Sequence, residues 1–493
     1  MMVWRVAAVL ANRDALYAAF VAKDARFDGR FFVGVASTGI YCRPVCKARQ
    51  PKFASCTFYE TAAEAEQCGY RPCLLCRPEI APGRSMADAS ANLALRAARM
   101  LEDRCASGER IDEIAGRLGC TDRHLRRVFM DEYHVLPVQF LQTCRLLLAK
   151  SLLTDTDLSI LEVAMAAGFG SLRRFNDLFR ERYKCTPTDL CRRAPGEKRR
   201  DSITLALGYR PPYGWAAMLG FFAGRAIAGV ETVTDGAYFR TVRLARTDKK
   251  RVDGWLGVKN NPDKNMLSVT VSESLLPVLP QVLARIKRQF DVHCDPNAVH
   301  ETLSSMNDIR PDLCVIGTRL PGCFNPFEMS VRAVLGQQIT VKAAGTLAAR
   351  IAKTFGMPIQ TGIHGLAHIF PSPEDVMALG ETMENRFGKL GITSARVKTI
   401  RELARGFTQN EIDFDYCARP EEEIQKLLKI RGIGNWTANY IAMRAMGFTD
   451  AFLETDYGVK KALPSHAPKE LLRLAENWRP WRGYAIINLW NTL

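Results

Sequence analysis

The sequence predicts a multi-domain protein, mainly α with α+β parts. Three observations carry that expectation. The chain has 493 residues, enough for about three domains at roughly 150 residues each. Its texture changes along its length, from a Gly-, Pro- and Cys-dense start to Ala/Leu/Arg-rich helical periodicity, then alternating strand-like segments, then long helical patterns. Hydrophobic residues make up 47% and charged residues 24%, a balance that excludes a largely disordered chain.

Charge narrows the partners. Lys and Arg number 68 against 52 Asp and Glu, a net +16, which points to nucleic acid or an anionic membrane surface. The best apolar stretch, Trp215 to Val230, is short and interrupted by Arg225, so no membrane span is expected. The opening MMVWRVAAVLANRD is too short an apolar run for a secretory signal. A cytoplasmic protein of the bacterial cytosol or nucleoid is expected, with most of its 15 cysteines acting as small buried hydrophobes in a reducing compartment.

The changes of texture divide the chain at residues 1–83, 85–190, 191–202, 203–320 and 321–493. The segment 191–202, CRRAPGEKRRDS, is basic and polar and is expected to be a linker. In 203–320, the stretches SITLALGY, TVRLAR and MLSVTVS alternate as strands do.

In residues 1–83, YCRPVC at Tyr41–Cys46 and RPCLLC at Arg71–Cys76 form C-x3-C and C-x2-C pairs with 26 residues between them. Two such pairs suit a tetrahedral Zn²⁺ site, each pair spanning one edge. The expected ligands are Cys42, Cys46, Cys73 and Cys76; Cys56 and Cys68 lie nearby without paired spacing. On spacing alone a purely architectural zinc knuckle is the favoured reading. The strings STGIYCRPVCKAR and CGYRPCLLCRPE are more particular: over residues 10–80 they resemble the Ada-type methylphosphotriester repair domain. That resemblance implies that Cys42 is both a zinc ligand and the acceptor of a methyl group from damaged DNA. It also implies DNA contacts at Thr38, Lys47, Arg49 and Arg71. Lys47 stands where an Arg is typical, which keeps the charge but loses the planar fork. Four thiolates around Zn²⁺ carry two net negative charges and methylation of Cys42 removes one, so affinity for DNA phosphates is expected to rise.

Residues 109–131 place Ile111, Ile114, Ala115 and Leu118 at helical spacing, then Gly119 as a turn, then Leu125, Val128 and Phe129. The second helix leaves Arg123, Arg126 and Arg127 outside. The pattern returns over 159–183, with Gly168 and Gly170 at the turn, Phe175 and Phe179 inward, and Arg173, Arg174, Asn176 and Arg180 outward. A basic second helix after a tight turn is a major-groove reader. One copy would fit an ordinary bundle with solvated arginines; two copies about fifty residues apart favour DNA binding. AMAAGFGSLRRFNDLFRERYKCTP resembles the AraC-type activator module, departing at Asn176–Asp177, where the family usually has Arg or Lys two positions after that Phe. The resemblance implies an AraC-type double helix-turn-helix that binds operator DNA, with RNA polymerase as the activator's target.

Near the C-terminus, LLKIRGIGNWTANYIAMRAM holds Gly432 and Gly434 between two helical patterns. Glycines there allow a hairpin whose N–H groups face a phosphate. Asp456 follows Gly434 by 22 residues, in FLETDYGVKKAL. With YRPPYGWAAMLGFFAGRAIAGVE, RLPGCFNPFEMSVRAVLGQQIT and WRPWRGYAIINLW, residues 203–493 resemble the AlkA-type 3-methyladenine DNA glycosylases of the helix-hairpin-helix class. The resemblance implies a TBP-like sheet domain over 203–320 and a glycosylase domain over 321–493. It implies Asp456 as the catalytic carboxylate, Trp436, Trp490 and Tyr457 around the base, and Gln338 where the AlkA type carries a Leu wedge. Trp436 replaces the hairpin Lys of glycosylases that also cleave the backbone, so a monofunctional enzyme is expected.

The expected whole is an alkylation-damage-response protein acting on double-stranded DNA. No PCHR string occurs, so the alkylguanine transferase part of full Ada proteins is expected to be absent. Two other classes compete: a regulator whose glycosylase half only binds DNA, and a zinc-bearing architectural protein.

Overall fold

The structure, a computed structural model, describes residues 13–82, 93–191, 201–246, 248–415 and 419–493. Most of the expected linker, and the helix start expected at Ser85, lie outside the described residues. The chain divides into two compact units: Met1–Pro211 with Leu244–Val252 and Asn261–Ala284, and Pro212–Arg243 with Asp253–Asn260 and Arg285–Leu493.

The first unit opens with helix α1 (Arg13–Val21) and strands β1 (Phe32–Val35), β2 (Ile40–Cys42) and β3 (Cys56–Tyr59). Helix α2 (Ala62–Gln67) and a short strand β4 (Arg71–Pro72) complete the layer. The sheet order is β3-β1-β2-β4. Strand β1 runs antiparallel to β2 and β3, with Val33 opposite Cys42, while β2 and β4 are parallel, Tyr41 opposite Pro72. That parallel register sets Cys42, the next residue on β2, beside Cys73, the residue that follows β4. Leu16, Phe20, Phe31 and Val33 bury against the cysteines, a core small enough to need a further staple.

Helices α3 (Leu93–Asp103), α4 (Ile111–Arg117), α5 (Asp122–Tyr133), α6 (Pro137–Asp155), α7 (Ile160–Ala166) and α8 (Leu172–Tyr183) follow. The two expected turns are present. Gly168 adopts φ +84°, and a Cβ there would meet Ala106 Cα at 2.5 Å, so both conformation and space require glycine. Helix α5 buries Leu125, Phe129 and Tyr133, and α8 buries Phe175, Phe179 and Tyr183, every fourth residue on one face of each. Thr121 and Ser171 cap them by accepting from the backbone N–H of His124 and Arg174. Val128, expected inward, is only half-buried, because it lies one position off that row.

All three expected strand segments form strands: Ser202–Gly208, Ala237–Ala245 and Met266–Ser272. The first and last pair antiparallel within the first unit. In the second unit, Glu231–Thr234 pairs antiparallel with the start of Ala237–Ala245. The helices that matter below are α9 (Trp215–Ala223), α10 (Pro326–Leu335), α11 (Ser394–Thr408), α12 (Asn435–Ile441), α13 (Tyr457–Ala462) and α14 (Arg482–Trp490). Residues of α10, α11 and α12 share one large apolar core. Beside it a buried ionic cluster is internally satisfied: Arg240 Nη2 donates to Glu328 at 2.7 Å and Arg332 Nη1 to Glu231 at 2.9 Å. Paired charges of this kind are costly to break and are read as architecture. Among the described residues, no helix is long and apolar enough to cross a membrane.

Candidate metal centre and candidate active site

The parallel β2–β4 pair brings the two cysteine pairs of the first unit together. The sulfurs of Cys42, Cys46, Cys73 and Cys76 all lie within 4.8 Å of one another, and all four are free thiols. A tetrahedral cation with metal–sulfur bonds of about 2.3 Å needs sulfurs about 3.8 Å apart, so the set fits Zn²⁺. The backbone reinforces it: Cys73 N donates to Tyr41 O at 3.0 Å, and Arg43 N donates to Cys76 Sγ at 3.3 Å. A hydrogen bond from Cys42 pulls Cys46 down, and the same contact pushes Cys42 up. Four adjacent thiols cannot all ionise without a cation among them.

Arg43, next to Cys42, is a residue that sequence reasoning missed. Its guanidinium is buried, paired with Asp28 through two hydrogen bonds, and donates through Nη1 to Cys76 O at 3.0 Å. It therefore links the residue beside Cys42 to Cys76 and to Asp28, in the segment between α1 and β1. The sequence context of Arg43 carries no sign of this role; only its burial reveals a brace. Thr38, Lys47 and Arg49 are exposed near the cluster, and Arg71 is half-buried. On the helix-turn-helix helices, Arg123, Arg126, Arg127, Arg173 and Arg174 are exposed and Asn176 is half-buried. Arg126 spends its charge partly on Asp122, at 2.9 Å.

In the second unit, Asp456 is the N-cap of α13 and is 9% exposed. Its Oδ1 accepts from Val459 N at 3.0 Å and from the Trp490 indole N–H at 2.8 Å; its Oδ2 accepts from the Trp436 indole N–H at 3.0 Å. Three donors hold the carboxylate in one orientation, each charge-assisted bond contributing about 1.5–3 kcal/mol. Gly458 makes this possible, since a Cβ there would meet Trp490 Cδ1 at 2.7 Å and Asp456 Oδ1 at 3.1 Å. The structure thus brings Trp436 and Trp490 to Asp456 edge-first, with their N–H groups on the carboxylate. Their faces go elsewhere: Trp436 stacks on Tyr440 at 5.0 Å and Trp490 on Phe221 at 6.3 Å. Tyr457 is not brought into this constellation; its side chain is 79% exposed.

Phe221, Tyr440, Arg225 and Arg444 complete the surroundings, and sequence reasoning singled out none of them as site residues. Arg225 lies 3.8 Å from the Phe221 ring centre and Arg444 4.6 Å from it, both within cation–π reach. Arg444 Nη1 donates to the Tyr440 hydroxyl at 3.0 Å. Burial pushes that hydroxyl up, but Arg444, Arg225 and Arg332 outweigh it and its pKa falls below the ordinary value.

The hairpin stands as expected. Gly432 takes φ +95°, and a Cβ would meet Thr399 Oγ1 at 2.2 Å; Gly434 caps α12. Gln338 is exposed, at φ +56°, on the loop after α10. Its neighbour Gln337 ties that loop to the hairpin, donating through Nε2 to Gly432 O at 2.8 Å and to Thr437 Oγ1 at 3.0 Å.

Comparison with known proteins follows the same segments. A model for the metal binding domain of Ada matches residues 15–79, and a helix-turn-helix domain matches 114–193. The AlkA N-terminal domain matches 204–325, and the HhH-GPD superfamily of base excision DNA repair proteins matches 331–469. The probable bifunctional transcriptional activator/DNA repair enzyme AlkA of Mycobacterium tuberculosis is 34% identical over 490 residues, covering 97% of this chain and 96% of its own length. The chain belongs to this family. It fuses an Ada-type zinc-binding and helix-turn-helix regulatory module with an AlkA-type HhH-GPD glycosylase domain. DNA-3-methyladenine glycosylase 2 of Escherichia coli is similar to the second part, 35% identical over 289 residues, 58% of this chain and 96% of its own. The bifunctional transcriptional activator/DNA repair enzyme Ada of Escherichia coli is similar to the first, 31% identical over 132 residues, 27% of this chain and 36% of its own. The themes of the family are DNA repair and transcriptional regulation, and this chain is an alkylation-damage-response protein in that sense.

Proposed function

We propose that the chain removes two kinds of alkylation damage from double-stranded DNA and reports one of them to transcription. In the first unit, Cys42, Cys46, Cys73 and Cys76 would hold Zn²⁺, which when bound keeps thiols deprotonated at neutral pH. Cys42 Sγ attacks the methyl carbon of a methylphosphotriester in line; the S–C bond forms as the C–O bond breaks, and the phosphodiester anion leaves. The transfer is stoichiometric, because the thioether is not turned over. One negative charge is lost at the site, so the methylated chain binds operator DNA more tightly and engages RNA polymerase as an activator.

In the second unit, the reaction is hydrolysis of the N-glycosidic bond of alkylated bases of the 3-methyladenine type. The bond electrons leave with the base, the sugar develops oxocarbenium character, and water adds at C1′ with loss of a proton. Asp456, held by two indole N–H groups and the start of α13, supplies the negative charge that this cation needs. Trp436 stands in the hairpin where an amine would be required for backbone cleavage, so an abasic site is the product. Gln338 fills the gap left by the extruded nucleotide, while Gly432 and Gly434 present backbone N–H groups to a phosphate. Segment 203–320 acts as a TBP-like sheet domain of this enzyme, and the chain works in the cytoplasm.

The oriented Asp456 carboxylate, with both oxygens engaged by aromatic donors, carries this function. The test is incubation of the purified chain with DNA containing both methylphosphotriesters and 3-methyladenine. Free base should appear with turnover while each chain takes up one methyl group. Binding without base release would leave only a regulator.

A further inference from the structure

Against the cysteine strand of the first unit lies a buried polar junction that neither proposed reaction uses. Glu66, on α2, is 3% exposed. Its Oε1 accepts from the Tyr41 hydroxyl at 3.0 Å and from the Tyr183 hydroxyl at 3.4 Å; its Oε2 accepts from Thr143 Oγ1 at 2.9 Å. Tyr41 directly precedes Cys42 on β2, Thr143 sits on α6, and Tyr183 is the last residue of α8. Arg182 adds a bond to the Glu66 carbonyl, 3.2 Å from Nη1. A second anchor begins just after Cys76. Arg77 pairs with Asp155 at 2.6 Å, and Glu79 takes both its oxygens to Lys150 Nζ at 2.7 Å. Asp155 and Lys150 both belong to α6, so the residues flanking each end of the cysteine set are fastened to the helix-turn-helix body.

A carboxylate buried among hydroxyls is expensive. Burial pushes the Glu66 carboxyl up to about 7, against the opposing pull of Thr143, Tyr41 and Arg182. An apolar side chain would fill the same space at lower cost, but it would not orient three hydroxyls from three different elements.

We propose that Glu66 is a positioning residue that fixes the strand carrying Cys42 to helix α8, so that methyl acceptance at Cys42 is transmitted to the DNA-reading helix through hydrogen bonds as well as through lost charge. The inference rests on the methyl-transfer half of the function proposed above. A shift of Cys42 on methylation reaches Tyr41 within one residue, Glu66 within one hydrogen bond, and Tyr183 within the next. Because coupling of two binding events is reciprocal, DNA engaged by α8 also biases the acceptor strand.

The experiment uses the full chain with bound zinc and two variants, Glu66→Gln and Tyr183→Phe; the second deletes one hydroxyl without a change of volume and folds even where the first does not. Methyl uptake is measured on a duplex carrying one methylphosphotriester, and zinc content is measured alongside. The ratio of Kd values before and after methylation is measured on an undamaged duplex at constant salt. Uptake and zinc should match the parent in the variants, while the gain in affinity falls by at least about threefold. An unchanged ratio in both variants, with the parent taking up methyl normally, would overturn the proposal alone. Loss of zinc or of uptake in both variants would reduce Glu66 to a folding role and also overturn it. A parent chain that takes up no methyl would overturn the methyl-transfer reading beneath it.

Discussion

Cys42 in the first unit and Asp456 in the second are both almost buried, at 6% and 9% exposure, yet their surroundings are opposite. Asp456 draws its stabilisation from the chain itself: two indole N–H groups and the Val459 N–H, all at 2.8–3.0 Å. The sulfurs of the first site face mainly one another, and Arg43 N is the backbone donor that reaches Cys76 Sγ. One anion is complete without a cofactor; the other site asks for a cation. The proposed chemistry divides the same way. A carboxylate that must sit still beside a developing sugar cation gains from fixed dipoles, whereas a nucleophile that must change its own charge gains from a partner that tolerates the change.

The contrast can be broken most severely by attacking the cation's ligands. Cys73→Ser should abolish the folded state of the cysteine module, because structural zinc sites supply about 10–16 kcal/mol of folding free energy. Circular dichroism and zinc content on the variant and on chelated parent check this, and base excision by the second unit should survive both treatments. A cysteine module that keeps its fold after chelation would remove the contrast altogether.

A smaller effect is expected from the self-sufficient site. Trp490→Phe removes one charge-assisted donor from Asp456 and keeps most of the ring that stacks on Phe221. Excision should fall by roughly 10- to 150-fold through kcat, since one such bond is worth about 1.5–3 kcal/mol. Single-turnover kinetics separate this from weakened binding; an unchanged kcat would show that the indole N–H groups do not serve the carboxylate.

The smallest effect sharpens the charge argument. Methylated chain should bind DNA a few-fold more tightly than unmethylated chain at low salt, and the advantage should shrink as ionic strength rises. An advantage that persists unchanged at high salt would assign the switch wholly to geometry, through junctions such as that at Glu66.

Much of the first site was legible in the sequence because its information is local. Cys42 with Cys46 and Cys73 with Cys76 are each closed by a few residues of backbone, and the repeated burial row of α5 and α8 follows directly from helical period. The helix-hairpin-helix glycines were legible for the same reason. What bridges distant segments was not. Trp436 and Trp490 lie 20 and 34 residues from Asp456, and aromatic residues in a base-binding context read as stacking faces, so their role as donors waits on the fold. Tyr457, adjacent to Asp456, was expected around the base; capping geometry turns the carboxylate inward while the next side chain projects to solvent. Glu66 in the run AAEAEQ has the look of a solvated helix face, and nothing short of the packing of α6 and α8 reveals that it is buried. Arg43 and Asp28 escaped for the same reason, being 15 residues apart.

In the function proposed, one chain carries two separable chemistries, each resting on its own anion. The most direct measurement scores methyl uptake and base release together, on DNA containing both methylphosphotriesters and 3-methyladenine, for the parent, Asp456→Asn and Cys42→Ala. Asn is nearly isosteric, so Asp456→Asn should fold and bind DNA but release base at least about 10²-fold more slowly, with methyl uptake at the parent level. Cys42→Ala should show the mirror pattern, excision intact and uptake abolished. Base release by Asp456→Asn at the parent rate, or methyl uptake by Cys42→Ala, would show that the two residues do not carry these reactions.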